Sequence, residues 1–489
     1  MTLIVFAALI GTTVVLLGST LWRLRRPIDA ALLIPLAWLA LIPIQVTLFG
    51  ILRGYSGAPR DNMYISIALG NLTFFALQRF LDSSYFRHLG EAVRSRLTPT
   101  ESRAPVDWTR LATYWWYGLA AVAVALGVVH LMLMPKVPLF EVLSGYTDFY
   151  QTAIDRENAA KLLNVPSIVK YFFSWNTSIL LPILFVAAIV FRWRWRAIAI
   201  GIFGLVYVTT PLDKFPSLIF LFSAFVAIAV RDRRRTFSWV LVVGFIVSLL
   251  PAYLITESQQ ISVTIHHAIG APIAPATVPP DVGTAPPAGE QPIKSIGGVQ
   301  LPGAVANLLD LTVRRIGSGP ADVTYQWFSF FPAAHPFLNG HGWEPWRVLS
   351  AGYQSPANMV GLWAYYGKAG YRLTSLSAYT GFLGDGWAEF GYVGVIIACL
   401  WLFAFAIVIE LMRVFSDKPF CLACYVPCLL MVAASAPISG IMAMTFSLGL
   451  VLAPLICTGY LLSGRLSISA ARTVPEREHP SRGLVKDAS

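Results

Sequence analysis

Long apolar runs recur along almost the whole chain, and each is close to the roughly 20 residues that a helix needs to cross a bilayer. Apolar residues make up 56% of the chain and charged residues 12%, whereas a soluble protein carries about 25% charged residues. The sequence therefore predicts an all-α polytopic integral membrane protein.

The apolar runs predict about eleven transmembrane helices and a division into four regions. The expected spans are about 3–22, 30–52, 64–81, 112–134, 168–191, 197–211, 215–230, 237–256, 387–412, 420–436 and 442–462. The regions are an N-terminal membrane bundle (1–256), a large loop (257–385), a C-terminal membrane bundle (386–463) and a disordered tail (464–489).

The basic residues test this topology. Arg23, Arg25 and Arg26 follow the first span, which indicates an extracytoplasmic N-terminus under the positive-inside rule. Alternation then places 23 of the 36 Lys and Arg residues on the cytoplasmic side. The net charge of +11 is therefore explained by topology, and we expect no nucleic-acid partner. The long loop becomes extracytoplasmic and the C-terminus cytoplasmic.

The long loop is the one extended polar interruption. Its Pro-rich part, 271–303, is typical of a flexible linker. Residues 304–316 carry apolar side chains at helical spacing and predict an interfacial helix. The part from 304 to 385 is expected to be ordered and to hold any active site, since it is dense in aromatic residues, His and Arg.

The five cysteines all lie in apolar segments. The stretch CLACYVPC has a spacing found in metal sites, but it falls inside a predicted span with no nearby His. We therefore interpret these cysteines as helix-packing residues and predict neither a metal nor another cofactor.

The sequence has no GxxxxGK[ST] and no HExxH, and its Gly-rich GHGW and GDGW lack the strand–turn–helix context of a dinucleotide site. An enzyme on the outer face has no nucleotide sugar, so its substrate would have to be activated on a lipid. A diphosphate leaving group needs cations, which Arg supplies bidentately, and an attacking hydroxyl needs a base.

The loop offers candidates for each task. The candidate catalytic residues are His341, His335, Asp385 and Glu389. The candidate diphosphate-binding residues are Arg314, Arg315, Arg347, Lys214 and Arg372. The candidate sugar-stacking residues are Trp327, Trp343 and Trp346. Because Asp385 and Glu389 are four residues apart, they would share one face of a helix.

Structural roles compete with each of these. Arg314 and Arg315 would also suit an interfacial position, and the two histidines could be structural. Asp385 is placed to be the N-cap of the following span. Glu389 within an apolar run is costly without a function. The tryptophans would equally suit an interfacial belt.

The chain resembles the O-antigen polymerases, also called oligosaccharide repeat-unit polymerases, which are bacterial polysaccharide polymerases. The resemblance rests on the topology and on DKFPSLIFLF (213–222), on TVRRIGSG with YQWFSFFPAAHPFLNGHGW (312–343), and on the segment 355–396 that closes with GFLGDGWAEFGYVG. The Pro-rich insert 271–303 departs from the family pattern.

The resemblance implies a metal-independent glycosyltransferase of GT-C-like architecture in the bacterial inner membrane. It would join repeat units on undecaprenyl diphosphate into O-antigen or exopolysaccharide at the periplasmic face. Arg315 and Lys214 would then contact the diphosphate, and His335 or His341 would contact the acceptor or act as base. Membrane lipid, a chain-length regulator and a flippase are the expected partners.

Three rival functions stay open. A transporter or flippase for lipid-linked glycans would carry charges within its spans. Another outer-face transferase using a polyprenyl-monophosphate sugar would favour an acidic pair in the first outer loop, which holds only Asp61. An O-antigen ligase shares the topology and chemistry of a polymerase.

Overall fold

The structure is a computed structural model of the chain. It describes residues 2–52, 55–98, 106–134, 136–140, 167–211, 214–231, 241, 243–244, 246–248, 295–296, 299–300, 319–344, 355–365 and 378–473. Apart from residues 295–296 and 299–300, the Pro-rich linker (271–303) lies outside these ranges. So do the expected interfacial helix 304–316, residues 474–489 of the tail and most of the predicted span 237–256.

The described chain is predominantly helical. The first helices are α1 (Thr2–Arg23), α2 (Ala30–Leu41), α3 (Pro43–Leu52), α4 (Gly57–Asp82), α5 (Ser84–Leu97) and α6 (Trp108–Leu133). The middle ones are α7 (Ser167–Trp175), a π-helical turn (Asn176–Leu180), α8 (Leu181–Val190), α9 (Arg194–Thr209) and α10 (Lys214–Arg231). The last are α11 (Gly319–Phe330), a 3₁₀ turn (His341–Trp343), α12 (Pro356–Tyr365), α13 (Phe382–Phe390), α14 (Tyr392–Arg413), α15 (Pro419–Ser435), a second π-helical turn (Ala443–Ser447) and α16 (Leu452–Thr473). Two strands of two residues each, β1 (Ser295–Ile296) and β2 (Val299–Gln300), pair in antiparallel orientation.

Among the described residues, five helices are long and apolar enough to cross a membrane. They are Leu3–Arg23, Ala30–Leu48, Trp108–Leu133, Val169–Val190 and Tyr392–Arg413. Three shorter apolar helices accompany them, at Pro216–Arg231, Pro419–Ser435 and Leu452–Leu466. The predicted class of α-helical membrane protein is confirmed, whereas the number of eleven spans stays a prediction.

Two predicted spans differ in detail from the structure. The expected span 30–52 contains an irregularity at Ile42, where the backbone leaves helical geometry before Pro43, which has no N–H to donate. The expected span 387–412 is two helices, because the backbone turns at Gly391 with φ of 60°. The segment 83–108 contains α5, whose N-terminus is capped by the Ser83 hydroxyl. Helix α16 continues past the expected boundary at 463.

Helices α13 and α14 pack closely across the turn at Gly391. A Cβ placed on Gly394 would lie 1.9 Å from the carbonyl oxygen of Gly386, and a Cβ on Gly386 would lie 2.5 Å from that of Gly394. Only glycine permits this approach, which is a common device in membrane helix packing. Gly386 and Gly394 are therefore helix-packing residues.

Polar side chains on α4 tie the first helices together within the apolar core. Asn71 accepts a hydrogen bond from the Trp38 indole at 2.9 Å and donates to the Thr13 hydroxyl at 3.0 Å. Two helical turns further along α4, Gln78 donates to the Thr20 hydroxyl at 3.1 Å. Buried amides of this kind are favourable in a membrane only when they are bonded.

A buried ionic network closes one end of the bundle. Arg23, only 2% exposed, pairs with Asp29 at 3.0 Å and with Asp82 at 2.7 Å. Glu410, 1% exposed, pairs with Arg413. The Glu410 carboxylate also accepts the backbone N–H of Ala30 at 2.6 Å, so it caps α2 from a position 380 residues away. A negative charge at a helix N-terminus is favourable.

Four of the basic segments that the sequence assigns to the cytoplasmic side meet at this same end, which we call the arginine end (residues 23–30, 78–98, 410–418 and 465). Arg94 pairs with Asp417 at 3.0 Å, and Arg465 donates to the Arg96 carbonyl at 2.8 Å.

The opposite end joins residues 55–62, 319–344, 378–392 and 436–441, and we call it the cleft end. There Tyr392 donates to Asn62 at 2.7 Å, Tyr55 donates to Asp322, and Ile441 donates to Asp385. Helix α4 connects the two ends.

All five cysteines are buried in helices, one in α14, three in α15 and one in α16. Their place in the packed core agrees with their interpretation as packing residues. Among the described residues, no group of three or more His, Cys, Asp or Glu could hold a metal ion.

The arginine-end network predicts that Glu410 and Asp417, two carboxylates on neighbouring segments, contribute very differently to the free energy of unfolding. Glu410→Ala should lower the free energy of unfolding by about 1–3 kcal/mol for each of the two buried donors that lose this acceptor, the Ala30 N–H and the Tyr425 hydroxyl. The variant also removes the pair with Arg413, whose side chain is 39% exposed. Asp417→Ala is the matched control and should cost about 0–1 kcal/mol, since its pair with Arg94 is half exposed. Thermal unfolding in detergent measures both, and equal losses would contradict the assigned role of Glu410.

Candidate functional site

A turn formed by residues 338–344 is bonded to α13 at the cleft end. The Leu338 N–H donates to the Ala388 carbonyl and the Asn339 N–H to the Glu389 carbonyl, both at 2.9 Å. The last carbonyls of a helix lack partners within the helix, so the turn satisfies them. The backbone of the His-containing segment is thereby fixed against the helix that carries the two acidic candidates.

Asp385 and Glu389 both lie on α13 and both accept hydrogen bonds from this turn. The Trp343 indole N–H donates to Asp385 Oδ2 at 2.9 Å, and the Gly342 N–H donates to Glu389 Oε2 at 3.2 Å. Their four-residue spacing predicts this shared face. The N-cap interpretation of Asp385 is wrong, because α13 begins at Phe382 with Gly381 as N-cap, which leaves Asp385 inside the helix.

Asp385 is largely withdrawn from solvent and lies before the spanning helix α14. Burial raises the pKa of its carboxyl from 3.8 to about 6, although hydrogen bonds from Trp343 and from the Ile441 N–H act in the opposite direction. The Ile441 N–H lies 2.9 Å from the same Oδ2 atom. A carboxyl with a pKa near neutrality suits proton transfer.

Asp385 faces a cleft of about 220 Å³ that also receives Glu344. The remaining lining is mostly hydroxyl-bearing and aromatic, and comprises Tyr171, Trp327, Gly342, Ser355, Pro356, Ala357, Tyr379, Thr380, Gly440, Met442, Ala443, Phe446 and Ser447. Two carboxylates, several hydroxyls and aromatic rings around one cleft could bind a sugar and move a proton.

The cleft wall includes an irregular helix. The π-helical turn Ala443–Ser447 contributes three lining residues, and its Phe446 carbonyl accepts a hydrogen bond from the Trp175 indole, directly before the other π-helical turn. Such turns are frequent at functional sites because they leave backbone groups outside the regular α-helical pattern.

His341 is not among the described residues that line the cleft, but it contacts Glu344, which is. Its Nδ1 atom lies 2.9 Å from Glu344 Oε1, and the imidazole is more than half exposed. A carboxylate that accepts from Nδ1 orients a histidine and leaves Nε2 available as a base.

His335 is held differently. Its Nδ1 atom lies 2.7 Å from the Pro336 carbonyl oxygen, and its ring stacks on Phe330 at 5.7 Å. It is not among the described residues that line the cleft.

Glu389 is fully buried and is also absent from the described lining. Its carboxylate holds the Gly342 backbone, and a Cβ on Gly342 would lie 1.9 Å from Glu389 Oε1. Its position therefore favours a role in holding the turn over one in direct catalysis.

The tryptophan candidates occupy unlike positions. Trp327 is 2% exposed and its indole N–H donates to the Ala378 carbonyl at 2.7 Å, which leaves little of its ring for a sugar. Trp343 bonds Asp385 and packs edge-on against Phe390. Tyr379, which sequence reasoning missed, is 63% exposed at the cleft and offers a more accessible ring.

Several candidates lie outside the described residues, namely Arg314, Arg315, Trp346, Arg347 and Arg372. Lys214 is described only as the first residue of α10. Their assigned roles stay predictions. Sequence reasoning also missed Glu344, although its position three residues after His341 is a signal for a His–carboxylate pair.

Comparison with protein-family models, with curated proteins and with solved structures finds no match to this chain. The resemblance to polysaccharide polymerases therefore stays a prediction.

The contact between Gly342 and Glu389 predicts a coupled pair of substitutions. Gly342→Ala should destabilise the docked turn by about 1–3 kcal/mol, because the added methyl group overlaps the Glu389 carboxylate. In the background of Glu389→Ala, the same glycine substitution should cost distinctly less, since the overlapping atoms are gone. A double-mutant cycle on thermal unfolding measures the coupling, and additive losses would contradict the contact.

Proposed function

We propose that the chain is a membrane glycosyltransferase that polymerises undecaprenyl-diphosphate-linked oligosaccharide repeat units. The observation that carries the proposal is the cleft that combines Asp385 and Glu344 with His341, at the end of the bundle opposite the arginine end. The product would be O-antigen or exopolysaccharide.

The proposal includes an orientation. Lys and Arg concentrate in short cytoplasmic segments of membrane proteins, so the arginine end would face the cytoplasm and the cleft end the periplasm of a bacterial inner membrane. The N-terminus would be periplasmic, since α1 ends at the arginine end with Arg23. The GT-C-like architecture and the eleven spans belong to the same proposal.

The proposed reaction is an inverting displacement at the anomeric carbon. A hydroxyl of the incoming lipid-linked unit gives its proton to the Asp385 carboxylate or to His341 Nε2, and its oxygen bonds to C1 of the growing chain. The C1–O bond to the diphosphate breaks, and its electron pair leaves with the undecaprenyl diphosphate. Cations must stabilise that leaving group, a task assigned to Arg314, Arg315, Arg347, Arg372 and Lys214.

The distribution of buried charge favours this chemistry over transport. The buried ionic residues Arg23 and Glu410 are paired with neighbours at the arginine end. A translocation path would instead be expected to carry charged residues midway along the spans. An O-antigen ligase would share the cleft and the reaction, and differs in the acceptor.

The pKa of Asp385 predicts how the reaction depends on pH. If its carboxylate is the base, activity should fall as pH decreases through about 6, to about one tenth of its plateau at one pH unit below that value. Trp343→Phe removes a donor that lowers this pKa, so the midpoint should move to higher pH. Polymer formation from purified lipid-linked units measures both profiles, and Trp401→Phe, in α14, is the matched control.

Asp385→Asn should reduce the rate by about 10²–10⁴-fold, the usual contribution of a general base. The amide oxygen can still accept from Trp343 and Ile441. Because the folded pKa is raised above 3.8, ionised Asp385 destabilises the fold increasingly as pH rises from about 4 to about 6. The variant should therefore be no less stable at neutral pH. Full activity in Asp385→Asn would exclude Asp385 as the base.

The substrate is tested by the glycans of a cell that lacks this protein. Polymerase activity predicts loss of long polymer and accumulation of single repeat units on undecaprenyl diphosphate, read by gel and mass spectrometry. Long polymer retained on its lipid carrier would indicate a ligase. Intermediates confined to the cytoplasmic face would indicate transport and contradict the proposal.

A further inference from the structure

An arginine-rimmed cavity lies between the end of α8 and the start of α9, and it shares no lining residue with the cleft. Its volume is about 400 Å³, and its lining consists of Ala188, Ile189, Arg192, Arg194 and Ala197. The small side chains of Ala188 and Ala197 leave room for the cavity, and the side chains of Arg192 and Arg194 are exposed. The cavity therefore presents two cations above a small apolar floor.

With Val169–Val190 spanning a bilayer, this cavity would lie at the depth where lipid headgroups begin. Arg192 is two residues beyond the candidate span Val169–Val190. Trp195, 82% exposed, stands on the first turn of α9, and exposed Trp residues concentrate at membrane–water interfaces.

An exposed apolar stripe runs from the cavity along α9. Arg194, Ile198, Ile202 and Val206 follow one another at four-residue spacing, so they share one helix face. The three apolar members are 51%, 63% and 53% exposed. An acyl chain could lie along this stripe while its phosphate meets Arg194.

Residues 192–196 read RWRWR, and the third arginine, Arg196, fixes the turn that carries the other two. The Arg196 guanidinium packs on the rings of Trp116, Tyr117 and Trp193, at 5.4, 4.6 and 4.2 Å from their centroids. Arg196 therefore serves the protein's own packing, whereas Arg192 and Arg194 face the cavity.

We propose that this cavity is a binding site for an anionic phospholipid, with the phosphate held by Arg192 and Arg194 and an acyl chain along Ile198 and Ile202. Arginine binds phosphate oxygens through its planar fork. Basic pockets between membrane helices bind anionic headgroups. The stripe that continues from the cavity identifies a lipid as the occupant, because a soluble phosphate would not need it.

The test is native mass spectrometry of the purified full-length protein with phosphatidylglycerol and, separately, phosphatidylcholine of the same chain length. The wild type should retain phosphatidylglycerol preferentially, and Arg192→Gln with Arg194→Gln should weaken its binding by roughly tenfold or more. Arg25→Gln with Arg87→Gln removes the same charge from exposed positions at the arginine end, outside the cavity lining, and should leave binding unchanged.

Ala197→Trp provides an independent variant, because it fills the cavity and keeps both charges. It should also lose phosphatidylglycerol. Undiminished binding in both cavity variants, an equal loss in the control pair or equal retention of phosphatidylcholine would overturn the proposal. Displacement of the lipid by glycerol phosphate would overturn it too, since that result would identify a site for a soluble anion.

Discussion

A charge that enters the interior of a membrane bundle must be paired or hydrogen-bonded, and this constraint sorts the ionisable groups of the described chain into two sets. At the arginine end, Arg23 pairs with Asp29, and Glu410 accepts the Ala30 N–H at the start of α2. These charges stabilise the packing of the helices. At the cleft end, Asp385 accepts two N–H donors and still borders an open space. The first set holds the helices together, and the second can take part in chemistry.

Helix α14 connects the two ends. Glu410, near its last turn, bonds α2 and α15 through Ala30 and Tyr425. At its N-terminus, the turn at Gly391 connects α14 to the preceding helix α13, and Gly394 lets the two helices pack closely. Asp385 is therefore built on a short helix that packs against a long one, which is a favourable basis for a precise site.

Much of this arrangement could be predicted from local sequence, and some could not. Apolar run length predicts the membrane class, and the four-residue spacing of Asp385 and Glu389 predicts their shared face. The cap that Glu410 places on α2 could not be predicted from local sequence. Asp29 occupies the N-cap position of α2, but its side chain accepts a hydrogen bond from Arg23 and does not cap the helix. The place of Glu344 in the cleft likewise depends on the docking of a turn onto α13, a tertiary contact with no local signature.

The same docking accounts for the division of labour among the candidate residues. Gly342 and Trp343 are adjacent, yet one bonds Glu389 and the other bonds Asp385. Glu389 is fully buried and holds the backbone of the turn. Asp385 faces the cleft and receives its bonds on one oxygen atom. Burial raises the pKa of Asp385, and the Trp343 hydrogen bond from this turn acts in the opposite direction. The same turn carries the pair of His341 and Glu344, so the orientation of that pair and the proton affinity of the carboxyl both depend on it.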